Sequence, residues 1–211
     1  NCESLESVGV DERTRHTATP VSLDLTPHRR TADESGLADA VDDVKTDCRE
    51  YVRRRGFVDA GSLLDLDDTY LAATELVHAA DLHGRAREPT DEEAYYLLDL
   101  LRGADAGERP PPDRVPARLA PGRGLAYADA VLAYRSEVLD WLDDRDEPDG
   151  PARRTLGRIV DRAKRVRALQ GDVDPAEAET LVRATREVTA ALRDGDEPAL
   201  ARARGRLDEL R

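Results

Sequence analysis

No stretch of this 211-residue chain approaches the ~18 consecutive apolar residues of a membrane-spanning helix. Nor does a charged start followed by an apolar run suggest a signal peptide, so a soluble protein is expected, with no membrane partner. Cysteine is limited to Cys2 and Cys48. That is too few for a disulfide framework in a chain this long and fits a reducing interior. Aromatics are scarce, with six Tyr, Phe57 and Trp141, so the core must be leucine, valine and alanine, which favours helix on helix over a sheet. Methionine is absent even at position 1, and the expectation is that the chain begins partway into a longer reading frame or has been processed. No glycine-rich phosphate loop, nucleophile context or fixed-period repeat occurs, which leaves hydrolase, nucleotide-binding and solenoid readings without support.

Lysine is nearly missing as well. Of 32 basic residues only Lys45 and Lys164 are lysine, whereas aspartate exceeds glutamate by 28 to 17 and the formal net charge is −13. Short carboxylates hold water and hydrated cations, and weakly hydrated arginine supplies the remaining pairs, a balance suited to concentrated salt. The expected setting is a salt-loaded cytoplasm. Where the Debye length grows to about 30 Å, near 0.01 M salt, the same charges repel one another, so the fold is expected to depend on salt.

Hydrophobic period gives the organisation. Residues 1–33 carry Pro20 and Pro27 and short alternations at Leu5, Val8 and Val10 and at Val21, Leu23 and Leu25, reading as an extended lead segment. The helical body spans 34–211. A stripe of Leu37, Val41, Val44, Cys48, Tyr51 and Val52 predicts a helix over 36–55. Asp67 or Asp68 caps a second that stops near Gly84, and Thr90 with Glu93 forms a capping box for a third ending at Gly103. The Pro/Gly-rich stretch at about 107–124 reads as a loop within one body. A fourth helix is expected over 125–144 and a fifth from Pro151 to Gln170. Asp174, Pro175 and Glu177 mark the start of a sixth, and a short seventh begins near Pro198. The fold class is therefore all-α, about seven helices in an irregular bundle behind an extended N-terminal segment.

Asp65-Leu66-Asp67-Asp68 matches the D-x-D-D motif of class II terpene cyclases, in which neighbours keep one carboxylic acid protonated. Those enzymes are several times longer and line their cavities with aromatics. Three acids at a helix start in a chain this rich in aspartate are better explained by capping and the helix dipole. Glu75 and His78 have the Glu-x-x-His spacing of di-iron bundles, but no second copy exists, and a position on an amphipathic rim is expected. Cys48 lies in the apolar stripe as an inert buried thiol. Cys2 differs: a cysteine before a short alternating segment has the form of the last knuckle of a zinc ribbon, although a ribbon needs four ligands and one is visible.

Local charge singles out the helix that starts at Pro151. It carries seven basic residues against Asp161 alone, and Arg154, Arg158, Arg162 and Arg165 fall within an arc of about 80°, opposite the apolar face. This ridge suits a nucleic acid or another anion, including an acidic protein surface. It can also pair with the acids Asp140, Asp143, Asp144, Asp146, Glu147 and Asp149 just before it, or remain a solvated face.

The strings from Ser7 to Thr17, from Cys48 through Leu71, and from Gly103 to Arg109 resemble a family of uncharacterised haloarchaeal proteins with a transcription factor IIB-type zinc ribbon at the N-terminus. In that family the corresponding strand follows a Cys-x-x-Cys knuckle, and Cys2 matches its last cysteine. The resemblance implies a zinc cofactor in the intact form, with the other three ligands upstream of residue 1, and names no activity for the helical body. The function expected is a non-enzymatic interaction module for nucleic acid or protein. The alternatives are a structural or assembly protein and, more remotely, an enzyme using Asp65, Asp67 and Asp68.

Overall fold

The computed structural model describes residues 21–145 and 150–210. Among the described residues the chain forms eight α-helices, one β-hairpin and two single-turn 3₁₀ segments. The helices are α1 Thr26–Ser35, α2 Leu37–Arg54, α3 Asp68–Arg85, α4 Asp91–Gly103, α5 Ala120–Asp143, α6 Gly150–Ala168, α7 Pro175–Asp194 and α8 Glu197–Glu209, with the hairpin, β1 Val58–Asp59 and β2 Ser62–Leu63, between α2 and α3. None of these helices is long and apolar enough to cross a membrane.

The all-α expectation holds, and the caps read from sequence form. Asp67 Oδ1 accepts the Tyr70 N–H at 2.7 Å. Thr90 and Glu93 close their capping box, and Asp174 accepts the Ala176 N–H at 2.8 Å. Each cap satisfies a first-turn donor that has no partner within its helix. The stripe on α2 buries Val44, Cys48 and Tyr51 as its period requires.

Three boundaries depart from the sequence reading. The lead segment is not extended to residue 33, because it turns helical at Thr26. Pro27 sits in the first turn, where its missing N–H costs nothing, and Asp105 accepts both the Leu25 N–H, at 3.0 Å, and Arg29 Nη1, at 2.8 Å. This helix buries no residue of its own and is held from outside by those bonds and by the wholly buried Leu25. The loop expected at 107–124 ends early, since α5 begins at Ala120 with Pro121 in its first turn. The glycines that read as loop residues are contact points: a Cβ on Gly122 would lie 3.2 Å from the Ala79 backbone, and one on Gly124 would fall into the Gly171 carbonyl. The third departure is the hairpin, pairing Val58 with Leu63. It docks on α5 through Trp141 Nε1 to the Gly61 carbonyl (2.9 Å), Tyr134 Oη to the Leu64 carbonyl (2.7 Å) and the Phe57 N–H to Glu137 (2.6 Å).

Helix α3 is the centre. Its residues Tyr70 to Leu76 are all buried, because α2, α4 and α5 all pack around it. The second half of the bundle assembles α6, α7 and α8 against α5 and one another. Leucine, valine and alanine dominate the core, as the shortage of aromatics demands. The exception is an edge-on cluster in which Phe57 meets Tyr70 at 4.9 Å and Tyr134 at 4.7 Å between ring centroids.

Candidate functional site

The arginine ridge forms on α6. Its inner face buries Leu156, Ile159, Ala163 and Val166 against the bundle, which turns Arg154, Arg158 and Arg165 into solvent and leaves Arg162 partly covered. Arg158 Nη2 meets Asp208 of α8 at 2.5 Å, while Arg154 and Arg162 make no ion pair among the described residues. The flanking cations are engaged: Arg153 pairs with Asp143 at 2.6 Å and Arg167 with Asp129 at 3.1 Å. Of the acids preceding α6, Asp143 thus pairs at the edge of the ridge, whereas Arg158 turns to α8; Asp146, Glu147 and Asp149 lie outside the described residues. From Arg154 to Arg165 the ridge runs about 16 Å along the axis at ~1.5 Å per residue.

The acidic cluster is brought together differently. Asp65 pairs with Arg193 at 2.6 Å. Asp67, besides capping α3, holds Arg55 at 2.7 Å, and Asp68 holds Arg109 at 2.6 Å and Arg186 at 2.7 Å. Partial burial alone would raise the Asp68 carboxyl, but the hydrogen bond from Arg186 and the charges of Arg109 and Arg186 outweigh it and hold the group below the usual carboxylate range. The capping reading of Asp67 therefore stands in the structure. An acid kept protonated by its neighbours does not describe Asp68, which is tuned the opposite way.

Glu75 is the main correction at this level. It does not lie on an amphipathic rim: it is wholly buried and faces Arg123, also wholly buried, with Arg123 Nε to Glu75 Oε1 at 2.7 Å. Tyr127 donates its hydroxyl to Glu75 Oε2 at 2.9 Å, and Tyr96 donates to Oε1. Arg123 Nη2 donates to Tyr96 Oη at 2.9 Å and to the Pro110 carbonyl at 2.7 Å. Arg123 Nη1 has no hydrogen-bond partner, and the guanidinium carbon lies 5.5 and 5.9 Å from the ring centroids of Tyr127 and Tyr96, cation–π contacts that offset part of its desolvation. Arg109 extends the network, donating to Tyr127 Oη and to Glu179 Oε2, the latter at 3.1 Å. Burial would lower the Arg109 and Arg123 guanidiniums, but the surrounding phenols and carboxylates raise both. Burial first, and the Glu75 charge second, push both the Tyr96 and Tyr127 hydroxyls up.

This network ties α3, α4, α5 and α7 to the segment after Gly103, and each of its carboxylates, Glu75, Glu179 and Asp68, is paired with arginine. The sequence reading missed it because its members lie far apart in the chain: Glu75 is 48 residues from Arg123 and 52 from Tyr127. The only local signal was an arginine inside a Pro/Gly-rich stretch.

His78 Nε2 meets Asp129 at 3.5 Å while Glu75 is taken up by Arg123, Tyr96 and Tyr127, so the Glu-x-x-His spacing assembles no shared site. Cys48 is buried, and burial, with Asp47 and Asp105 behind it, pushes its thiol up to about 12. Among the described residues no three His, Cys, Asp or Glu side chains gather as a metal set. Cys2 lies outside the described residues.

Fold and site together define an all-α bundle locked by a buried ionic network and carrying a cationic helix face. The chain belongs to a family of unknown function, DUF7117, whose profile matches residues 1–207. No curated protein matches the chain, and no solved structure does.

Proposed function

We propose that this protein is a non-enzymatic interaction module of a salt-loaded cytoplasm, whose α6 ridge contacts the phosphate backbone of a nucleic acid. The observation that carries this reading is the exposure of Arg154, Arg158 and Arg165 on one face of α6, in a chain whose net charge is −13. Arginine forks fit phosphate oxygens bidentately, and their spacing along a straight helix lets several engage one strand together. Phosphate contacts made this way position a protein without reading sequence. A zinc ribbon in the intact protein, with Cys2 as one ligand, belongs to the same proposal and would supply a second contact. The Arg158–Asp208 pair favours one alternative, a structural or assembly role in which the ridge meets acidic protein surfaces.

The test is fluorescence anisotropy of labelled duplex and single-stranded oligonucleotides with the full chain across a salt series. Replacing Arg154, Arg158, Arg162 and Arg165 by serine should flatten the slope of log K against log salt by up to about 3.6, at ~0.9 per phosphate neutralised on a duplex. An unchanged slope and affinity would remove α6 from the interface. Zinc measured on the chain extended to its upstream codons tests the ribbon separately, and a metal-free intact protein would rule it out.

A further inference from the structure

Helix α8 packs on α7 and on α6, and its charged residues sort by neighbour. Arg202 and Arg206 turn to Glu187 of α7, at 3.7 and 3.0 Å. Arg204 and Asp208, one turn apart on the other flank, turn to α6. Arg204 Nε donates to Thr155 Oγ1 at 3.3 Å, which holds the guanidinium at the α6–α8 seam, and neither its Nη1 nor its Nη2 has a hydrogen-bond partner among the described residues. Asp208 Oδ1 accepts from Arg158 Nη2 at 2.5 Å. The two contacts advance together, from Thr155 to Arg158 on α6 and from Arg204 to Asp208 on α8, so Arg204 lies one turn before the Arg158–Asp208 pair on the same seam.

We propose that the α6–α8 seam is a phosphate site of the nucleic-acid surface, where Arg158 and Arg204 hold one phosphate group and Asp208 occupies Arg158 until that phosphate displaces it, a site that presupposes the ridge reading of α6. Asp208 Oδ1 marks where an anionic oxygen sits against Arg158, and a phosphate oxygen makes the same charge-assisted bond. Arg204 spends one donor on α6 and keeps its terminal fork for a second oxygen. Helix building does not account for the aspartate: α8 ends at Glu209, and an acid in the last turn opposes the helix dipole. Its charge goes to Arg158 instead, which Asp161, exposed on α6 itself, leaves to it. The pair opens at little cost, since Arg158 is 45% and Asp208 69% exposed, and exposed pairs contribute little. A duplex that already holds Arg154, Arg162 and Arg165 presents the next phosphate at high effective concentration and completes its contact by displacing Asp208. A lone carboxylate gains only what Asp208 gives up. Asp208 is therefore an internal competitor that makes the cationic face answer to a polyanion.

The probe is the labelled duplex, titrated with the full chain across the same salt series. Asp208→Asn should tighten binding about two- to fivefold, the worth of an exposed ion pair. It should also steepen the slope of log K against log salt by up to about 0.9, because Arg158 then neutralises a phosphate without returning a cation to Asp208. In an Arg158→Ser background the same substitution should lose most of that gain. Arg204→Ser should weaken binding and flatten the slope by about 0.9. Indifference to Asp208→Asn, a gain that survives undiminished in Arg158→Ser, or an unchanged slope in Arg204→Ser overturns the proposal. If the four-serine ridge variant loses binding while Asp208→Asn and Arg204→Ser leave it unaltered, the seam alone is refuted. If the four-serine variant binds like the parent, the ridge falls and the seam with it.

Discussion

Replacing Arg123 by methionine tests whether the buried network holds the bundle together. Arg123 and Glu75 are both fully buried and 2.7 Å apart, so the substitution leaves a carboxylate in the core with two tyrosine donors and no counter-charge. Removing one partner of such a pair costs about 3–5 kcal/mol, much of it the stranded charge. Against a total stability of about 5–15 kcal/mol this is a large share. For a domain of this size it corresponds to a fall of about 6–20 °C in Tm, at ~2–4 °C per kcal/mol. The Pro110 carbonyl loses its donor in the same change. The assay is urea and thermal unfolding followed by circular dichroism, for Arg123→Met, Glu75→Leu and the double variant. The double should lose less than the single losses combined, because replacing both charges removes the stranded one. The loss should persist in molar salt, where an exposed pair such as Arg54 with Glu50 is screened. A loss below about 1 kcal/mol for Arg123→Met, or strict additivity in the double, would refute the reasoning, since values that small are typical of exposed pairs.

Gly124→Ala should destabilise by about 1–3 kcal/mol or more in the same unfolding assay, because its Cβ meets the rigid Gly171 carbonyl rather than a side chain that can move aside. In a Cys2→Ser background, Cys48 should resist thiol reagents in the native state and react only on unfolding. Its thiol is buried and pushed up to about 12, and fast labelling of folded protein would count against this packing. Buried tyrosines, with Cys48, make stability fall at alkaline pH. Burial raises Tyr70 and Tyr134 to about 12, above the ~10 of an unfolded phenol, so their contribution is fully present below pH ~10 and is lost as pH rises from there toward 12. Unfolding free energy measured across that window should fall, and a flat profile would show that these hydroxyls are not buried.

Helix positions were largely legible because their signals are local. The stripe from Leu37 to Val52 and the capping residues Asp67, Thr90 and Asp174 act within one or two turns, so period and cap chemistry place α2, α3, α4 and α7 closely. The ridge on α6 was legible for the same reason, since a strong apolar arc fixes which residues face out. Helix α1 was not: it buries none of its own side chains, and its anchor, Asp105, lies 76 residues from Arg29. Glycine was ambiguous in the same way. At Gly107 it marks a turn, as composition suggests, but at Gly122 and Gly124 it marks helix contacts that exist only once α3 and the Gly171 turn are in place.

By itself the sequence determined the helical class, most of the helix boundaries, the leucine-valine-alanine core and the exposed cationic face, all set by interactions among residues a few positions apart. Tertiary structure alone decided where the charges went. Asp68, which reads as a cap or a catalytic acid, became the meeting point of arginines 41 and 118 residues away, and Glu75 became the core partner of Arg123. Desolvation makes such pairings decisive, because a carboxylate leaving water must find its counter-charge wherever the packed chain presents one.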